Sequence, residues 1–114
     1  MTMAGITTHV LDTARGKPAQ GVPVKLERKT ADGFELVGQG VTDTDGRNRA
    51  LVTSEAVTAA TYRITFDTAA YAKASGTPCF FPEVAILFVV EDPAQHFHVP
   101  LLLSPYGYST YRGS

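Results

Sequence analysis

The chain has 114 residues, 44% of them hydrophobic and 18% charged, with a formal net charge of -1. That length lies in the single-domain range, and the composition is that of a globular rather than a disordered chain. A charge so near neutrality offers no complementary field to a phosphate backbone or an anionic bilayer, so neither nucleic acid nor membrane is expected as a partner.

The opening Met1-Thr2-Met3-Ala4-Gly5 lacks the basic stretch and apolar run of a secretory leader. No window approaches the roughly 18 apolar residues of a membrane span, and a cytoplasmic protein is expected. Ile6 to Leu11 reads as a strand that ends in the loop composition of Asp12 to Gly16. Val22, Val24 and Leu26 alternate with Pro23, Lys25 and Glu27, the period of a half-buried strand. Asp32-Gly33 offers a hairpin turn into Phe34 to Val41, and Asp45-Gly46 a second turn that puts Arg47 at a strand mouth. Tyr62, Ile64 and Phe66 alternate with Arg63 and Thr65 in a further strand. One segment is helical in pattern: Asp67 or Thr68 caps Ala69 to Ala74, and Gly76 supplies the stop. Val84 to Val90 and Phe97 to Leu103 follow as strongly apolar strands. Seven or eight short strands with one small helix predict a single all-β domain over residues 1–114, a two-sheet antiparallel sandwich.

The last two long strands are apolar on both faces. Val84, Ile86, Phe88 and Val90 share one side, while Ala85, Leu87 and Val89 share the other. A sandwich strand needs only its core face apolar, so the second face is expected to be covered by another subunit, and Leu101-Leu102-Leu103 repeats the feature. The single cysteine, Cys79, lies between Pro78 and the pair Phe80-Phe81, which predicts a buried, structural thiol.

Candidate chemistry rests on few residues. The three histidines are His9, His96 and His98, and the last two share a face if they lie on a strand. Imidazole is the side chain that gives and takes protons near neutrality. Three histidines also resemble a zinc set, although an i, i+2 pair is common by chance in strands. Arg47 and Arg112 each present a planar fork suited to anions and developing oxyanions. No nucleophile elbow surrounds any serine, and no glycine-rich phosphate loop follows a strand.

Three segments together resemble the transthyretin-related 5-hydroxyisourate hydrolases. They are Ile6-Thr-Thr-His-Val-Leu-Asp12 with Gly16-Lys-Pro-Ala-Gln-Gly21, then Thr44-Asp-Gly-Arg47, then His96-Phe-His-Val-Pro-Leu-Leu-Leu-Ser-Pro105 running into Tyr108-Ser-Thr-Tyr-Arg-Gly-Ser114. The Tyr-Arg-Gly-Ser ending is the most specific, because the hormone-carrying transthyretins share the fold but lack it and the full histidine set. Only Thr30 to Gly40 reads as a family-variable loop.

The resemblance implies an eight-strand sandwich assembled as a homotetramer, a dimer of dimers, with sites in the channel between dimers. It implies hydrolysis of 5-hydroxyisourate to 2-oxo-4-hydroxy-4-carboxy-5-ureidoimidazoline in urate breakdown, with no cofactor and no metal. By motif position the catalytic set is His9, Arg47, His98 and Ser114. Arg47, Tyr111, Arg112 and Ser114 contact the small purine-derived substrate. His98 is chosen over His96 because it precedes Val-Pro; His96 is then supporting or simply exposed. His9 and His98 share the proton work, and either could be base or acid. The rival reading is a transthyretin-type carrier, whose channel should be apolar rather than lined by these residues.

Overall fold

The computed structural model describes residues 4–114. The start of the leader reading, Met1 to Met3, lies outside them. Nine strands are formed: β1 (Ala4–Asp12), β2 (Lys17–Pro18), β3 (Pro23–Thr30), β4 (Gly33–Val41), β5 (Arg47–Thr53), β6 (Ala60–Phe66), β7 (Val84–Val90), β8 (Phe97–Ser104) and β9 (Gly107–Thr110). One sheet runs β2-β1-β8-β9, with β5 also paired to β1, and the other runs β4-β3-β6-β7. The two-sheet sandwich is therefore as expected, the ninth strand being the two-residue β2. Its pairings are antiparallel with one exception: β1 and β8 run parallel, from Ile6 beside Phe97 to Asp12 beside Leu103.

The core lies between the sheets. Ile6 and Val10 from β1 and Leu101 from β8 meet Leu26, Tyr62, Ile64, Phe66 and Val84 from the opposing sheet, all fully enclosed. Burying each such side chain contributes about 1.5–3 kcal/mol. The polar groups that enter this layer are satisfied. The buried Thr8 hydroxyl donates to the Val99 carbonyl at 2.6 Å, and Thr42 donates to the Ala19 carbonyl at 2.7 Å. Tyr71 donates to the Asp12 carboxylate at 2.6 Å, tying the helix to the end of β1. Among the described residues, no enclosed side-chain polar atom lacks a partner.

Helix α1 spans Thr68–Ser75, with the Asp67 carboxylate accepting from the Ala70 amide at 3.0 Å and Gly76 ending it. Two expectations are corrected. The Cys79 thiol is exposed and donates to the Phe81 carbonyl at 3.3 Å. Its aromatic neighbour Phe80 is itself out in solvent, so the apolar flank does not cover the sulfur. Thr30 to Gly40 is no loop either. β3 and β4 pair along its length, from Thr30 beside Gly33 onward, with one irregularity at Leu26/Glu27.

The two-faced strand is as the pattern required. Val84 and Val90 are buried, whereas Leu87 and Val89 are 62% and 61% exposed on the outer side of β7. β7 and β9 end their respective sheets. No helix among the described residues is long and apolar enough to cross a membrane.

Candidate active site

Alternation along β1 sends Ile6, Thr8 and Val10 into the core and turns Thr7 and His9 to the sheet's outer surface. The parallel register then places Thr7 beside His98 and His9 beside Pro100. On the other flank of β1, antiparallel pairing places Arg47 beside His9. Residues from three distant stretches of chain thus come to one outer face. Among the described residues, no group of three or more His, Cys, Asp or Glu side chains is placed to hold a metal ion.

The turn before β5 fixes Arg47. Asp43 accepts through its carboxylate from the amides of Asp45 and Arg47, at 2.8 and 3.0 Å. Its own amide donates to the Arg47 carbonyl at 2.9 Å. Gly46 takes φ 74°, a conformation that strongly favours glycine, and its carbonyl accepts from the Val10 amide at 2.7 Å. The Arg47 main-chain bond, above all, holds the Asp43 carboxyl below its ordinary range. Asp43 also pairs with the Arg49 guanidinium at 3.5 Å.

The C-terminal segment closes the other side. Gly113 donates its amide to the His98 carbonyl at 2.8 Å and bridges to that residue beyond the end of β9. Ser114 thereby joins Thr7, Arg47, Arg49, His96 and His98 in lining one open cleft. His9 stands next to it, paired in register with Arg47. Tyr111 and Arg112 line an adjoining hollow against β7, which His98 shares. Arg112 is engaged there: its guanidinium lies 4.7 Å from the Phe97 ring centroid and donates to Gln95 at 3.1 Å.

Both expected catalytic imidazoles are held below the ordinary histidine range. For each the largest cause is burial, followed by the positive charge of Arg47. His98 is further disfavoured as a cation by His9 and His96. Near pH 7 both rings are therefore neutral, which is the state a proton acceptor needs.

Three contributors escaped the sequence reading. Thr7 bonds to His98, Arg49 lines the cleft, and Asp43 templates the turn. The Arg47-Asn-Arg49 spacing was a usable signal, since i and i+2 share a strand face. Thr7 had the same relation to His9.

Residues 6–113 match the model of the HIUase/Transthyretin family. A 5-hydroxyisourate hydrolase from Deinococcus radiodurans is 49% identical over 114 residues, covering 96% of each chain. The solved structure of Klebsiella pneumoniae 5-hydroxyisourate hydrolase superposes with a TM-score of 0.82 at 37% identity, covering 100% of both chains. Sea bream transthyretin, solved in complex with thyroxine, superposes with a TM-score of 0.90 at 34% identity, covering 96% of this chain and 94% of its own. Backbone likeness therefore does not separate the hydrolase from the thyroxine-bound transthyretin. With a family match over almost its whole length, the chain belongs to the HIUase/Transthyretin family.

Proposed function

We propose that this protein is a 5-hydroxyisourate hydrolase, a cyclic amidase of urate breakdown, acting as one domain over residues 1–114. The observation that carries this reading is the gathering of Arg47, His98 and Ser114 in one cleft beside His9. Hydrolysis joins a water oxygen to the acyl carbon, breaks the ring C–N bond and delivers a proton to the departing nitrogen. The products are a carboxyl group and an N–H. Such a step needs a base for water, an acid for the nitrogen and donors for the tetrahedral oxyanion.

His9 and His98 supply the first two; the ring that takes the water proton starts neutral, the state that burial and Arg47 favour, and an imidazole so protonated is the donor for the nitrogen. Arg47 clamps the planar, electron-rich substrate and meets the developing oxyanion. Ser114 positions substrate or water, while Tyr111 and Arg112 brace the segment that carries it and contact the substrate's outer edge. The likeness to sea bream transthyretin favours a carrier only in backbone, because two arginines and two histidines make this cleft polar. Mixing the protein with urate and urate oxidase tests the reading. The transient absorbance of 5-hydroxyisourate should decay faster in proportion to added protein, and an unchanged decay would overturn it.

Assembly into a homotetramer is part of the proposal. β7 and β9 each end a sheet, and β7 exposes Leu87 and Val89 where a second copy could extend both sheets and cover them. Light scattering at micromolar concentration should report about four chains; a monomer would refute this. The cytoplasm is the proposed site of action, and an exposed free thiol at Cys79 suits that reducing compartment.

A further inference from the structure

His96 has no assigned part in the chemistry, yet it is connected to His98 through one atom. The Thr7 hydroxyl lies 2.8 Å from His98 Nδ1 and 3.2 Å from His96 Nε2. Thr7 as a residue is only 7% exposed. A hydroxyl has one proton to donate. It can give that proton to at most one of the two rings, so at least one ring must itself donate to the oxygen. The Thr7 hydroxyl thereby links His96 and His98.

We propose that Thr7 and His96 are positioning residues that set the tautomer of His98, in a chain running from His98 Nδ1–H to the Thr7 hydroxyl and from that hydroxyl to His96 Nε2. This inference rests on the hydrolase reading and deepens it, because it leaves the His98 Nε2 lone pair, across the ring from Thr7, as the base. A main-chain hydrogen bond with Thr7 also favours a proton on the His98 ring. With the 2.8 Å contact made at Nδ1, the nitrogen on the Thr7 side is the one assigned that hydrogen. The hydroxyl is then free to donate outward, to His96.

The charges around His98 support the neutral form this chain requires. Arg47 from β5, His9 from β1 and His96 from β8 all oppose a positive His98, after burial itself. Arg49 lines the same cleft, and Arg112 the adjoining hollow.

Nitrogen-15 spectra of histidine-labelled protein, recorded without substrate above the titration range of the imidazoles, read the tautomer directly. Wild type should show His98 as Nδ1–H; Nε2–H would overturn the proposal. Thr7→Val keeps the shape and removes the hydroxyl, so the preference should weaken. kcat should then fall about 10- to 100-fold, the usual worth of a group that orients a functional imidazole. KM should stay within about threefold, since substrate binding is not touched. Thr7→Ser should restore both tautomer and kcat. Thr7→Val with wild-type tautomer and kcat would overturn the role of the hydroxyl. His96→Leu should lower kcat less and weaken the Nδ1–H preference of His98; an unmoved tautomer would remove His96 from the chain. Because the spectra need no substrate, a protein inert toward 5-hydroxyisourate but with His98 as Nδ1–H would sink the hydrolase reading and leave the bridge standing.

Discussion

Gly113→Ala is a one-methyl perturbation aimed at the closest approach in the site. The added Cβ would stand 2.5 Å from His98 Cδ2, 3.2 Å from His98 Cγ and 3.3 Å from Pro100 Cγ. Carbon atoms rest at about 3.5–4.0 Å, so a gap of ~1 Å has to open. The His98 ring is tethered at Nδ1 by Thr7, and Pro100 sits within a paired strand. The C-terminal segment is the softer party and should lift. That breaks the Gly113 amide bond to the His98 carbonyl, worth about 0.5–1.5 kcal/mol net. For a domain of this size the loss corresponds to a fall in Tm of less than about 8 °C. Activity should suffer far more, because a displacement of ~1 Å among reacting groups costs on the order of 10²-fold. The urate oxidase-coupled absorbance assay gives kcat/KM, and a thermal melt of the same sample gives the stability. Wild-type turnover in Gly113→Ala would refute the placement of this segment in the site. Loss of folding together with activity would show that the segment is a structural brace instead.

Replacing His9 or His98 by Asn should each lower kcat about 10²–10⁴-fold in the same assay, the usual worth of a positioned acid or base. His96→Asn should be milder, because the amide oxygen can still accept from Thr7; a reversed order for His96 and His98 would exchange their roles. Arg47→Lys, which keeps the charge and loses the fork, should cost about 10²–10³-fold, and near-wild-type rates would reduce Arg47 to a surface charge. The kcat/KM profile should hold its plateau to a pH below the ordinary histidine value of about 6.5, because burial and then Arg47 favour the neutral rings. Arg47→Met removes only the second of these causes, so its acid limb should move up part of the way toward that value; a limb that stays put contradicts the electrostatic account. Deleting residues 111–114 should abolish turnover while circular dichroism still reports the sandwich, and an active truncated protein would remove Ser114 from the mechanism.

How much of this was legible from the residues varies by element. The cap at Asp67, the stop at Gly76 and the turn at Gly46 were readable because each is decided within a few positions. The two-faced character of β7 was readable for the same reason. Strand partners were not. Nothing local to Thr7 announces His98, because their adjacency is created by the parallel pairing of β1 with β8. The family motifs supplied His9, Arg47, His98 and Ser114, but they do not say which atoms touch. Cys79 shows the opposite failure: apolar neighbours suggested shelter, while Phe80 projects into solvent beside it. Thr30 to Gly40 was set aside as a family-variable loop by resemblance, although the Asp32-Gly33 turn into Phe34 to Val41 already pointed to the hairpin that β3 and β4 form there.

The alternation of β1 has an evolutionary corollary. Ile6, Thr8 and Val10 answer to packing, while Thr7 and His9, interleaved with them, answer to chemistry. Selection can rewrite one set of positions without disturbing the other, since neighbouring side chains on a strand occupy opposite faces. An outer surface built this way is a writable page on a fixed binding. A thyroxine-bound sea bream transthyretin and a bacterial hydrolase both superpose on this backbone, as a sheet whose outer face can vary while its core face is kept would allow.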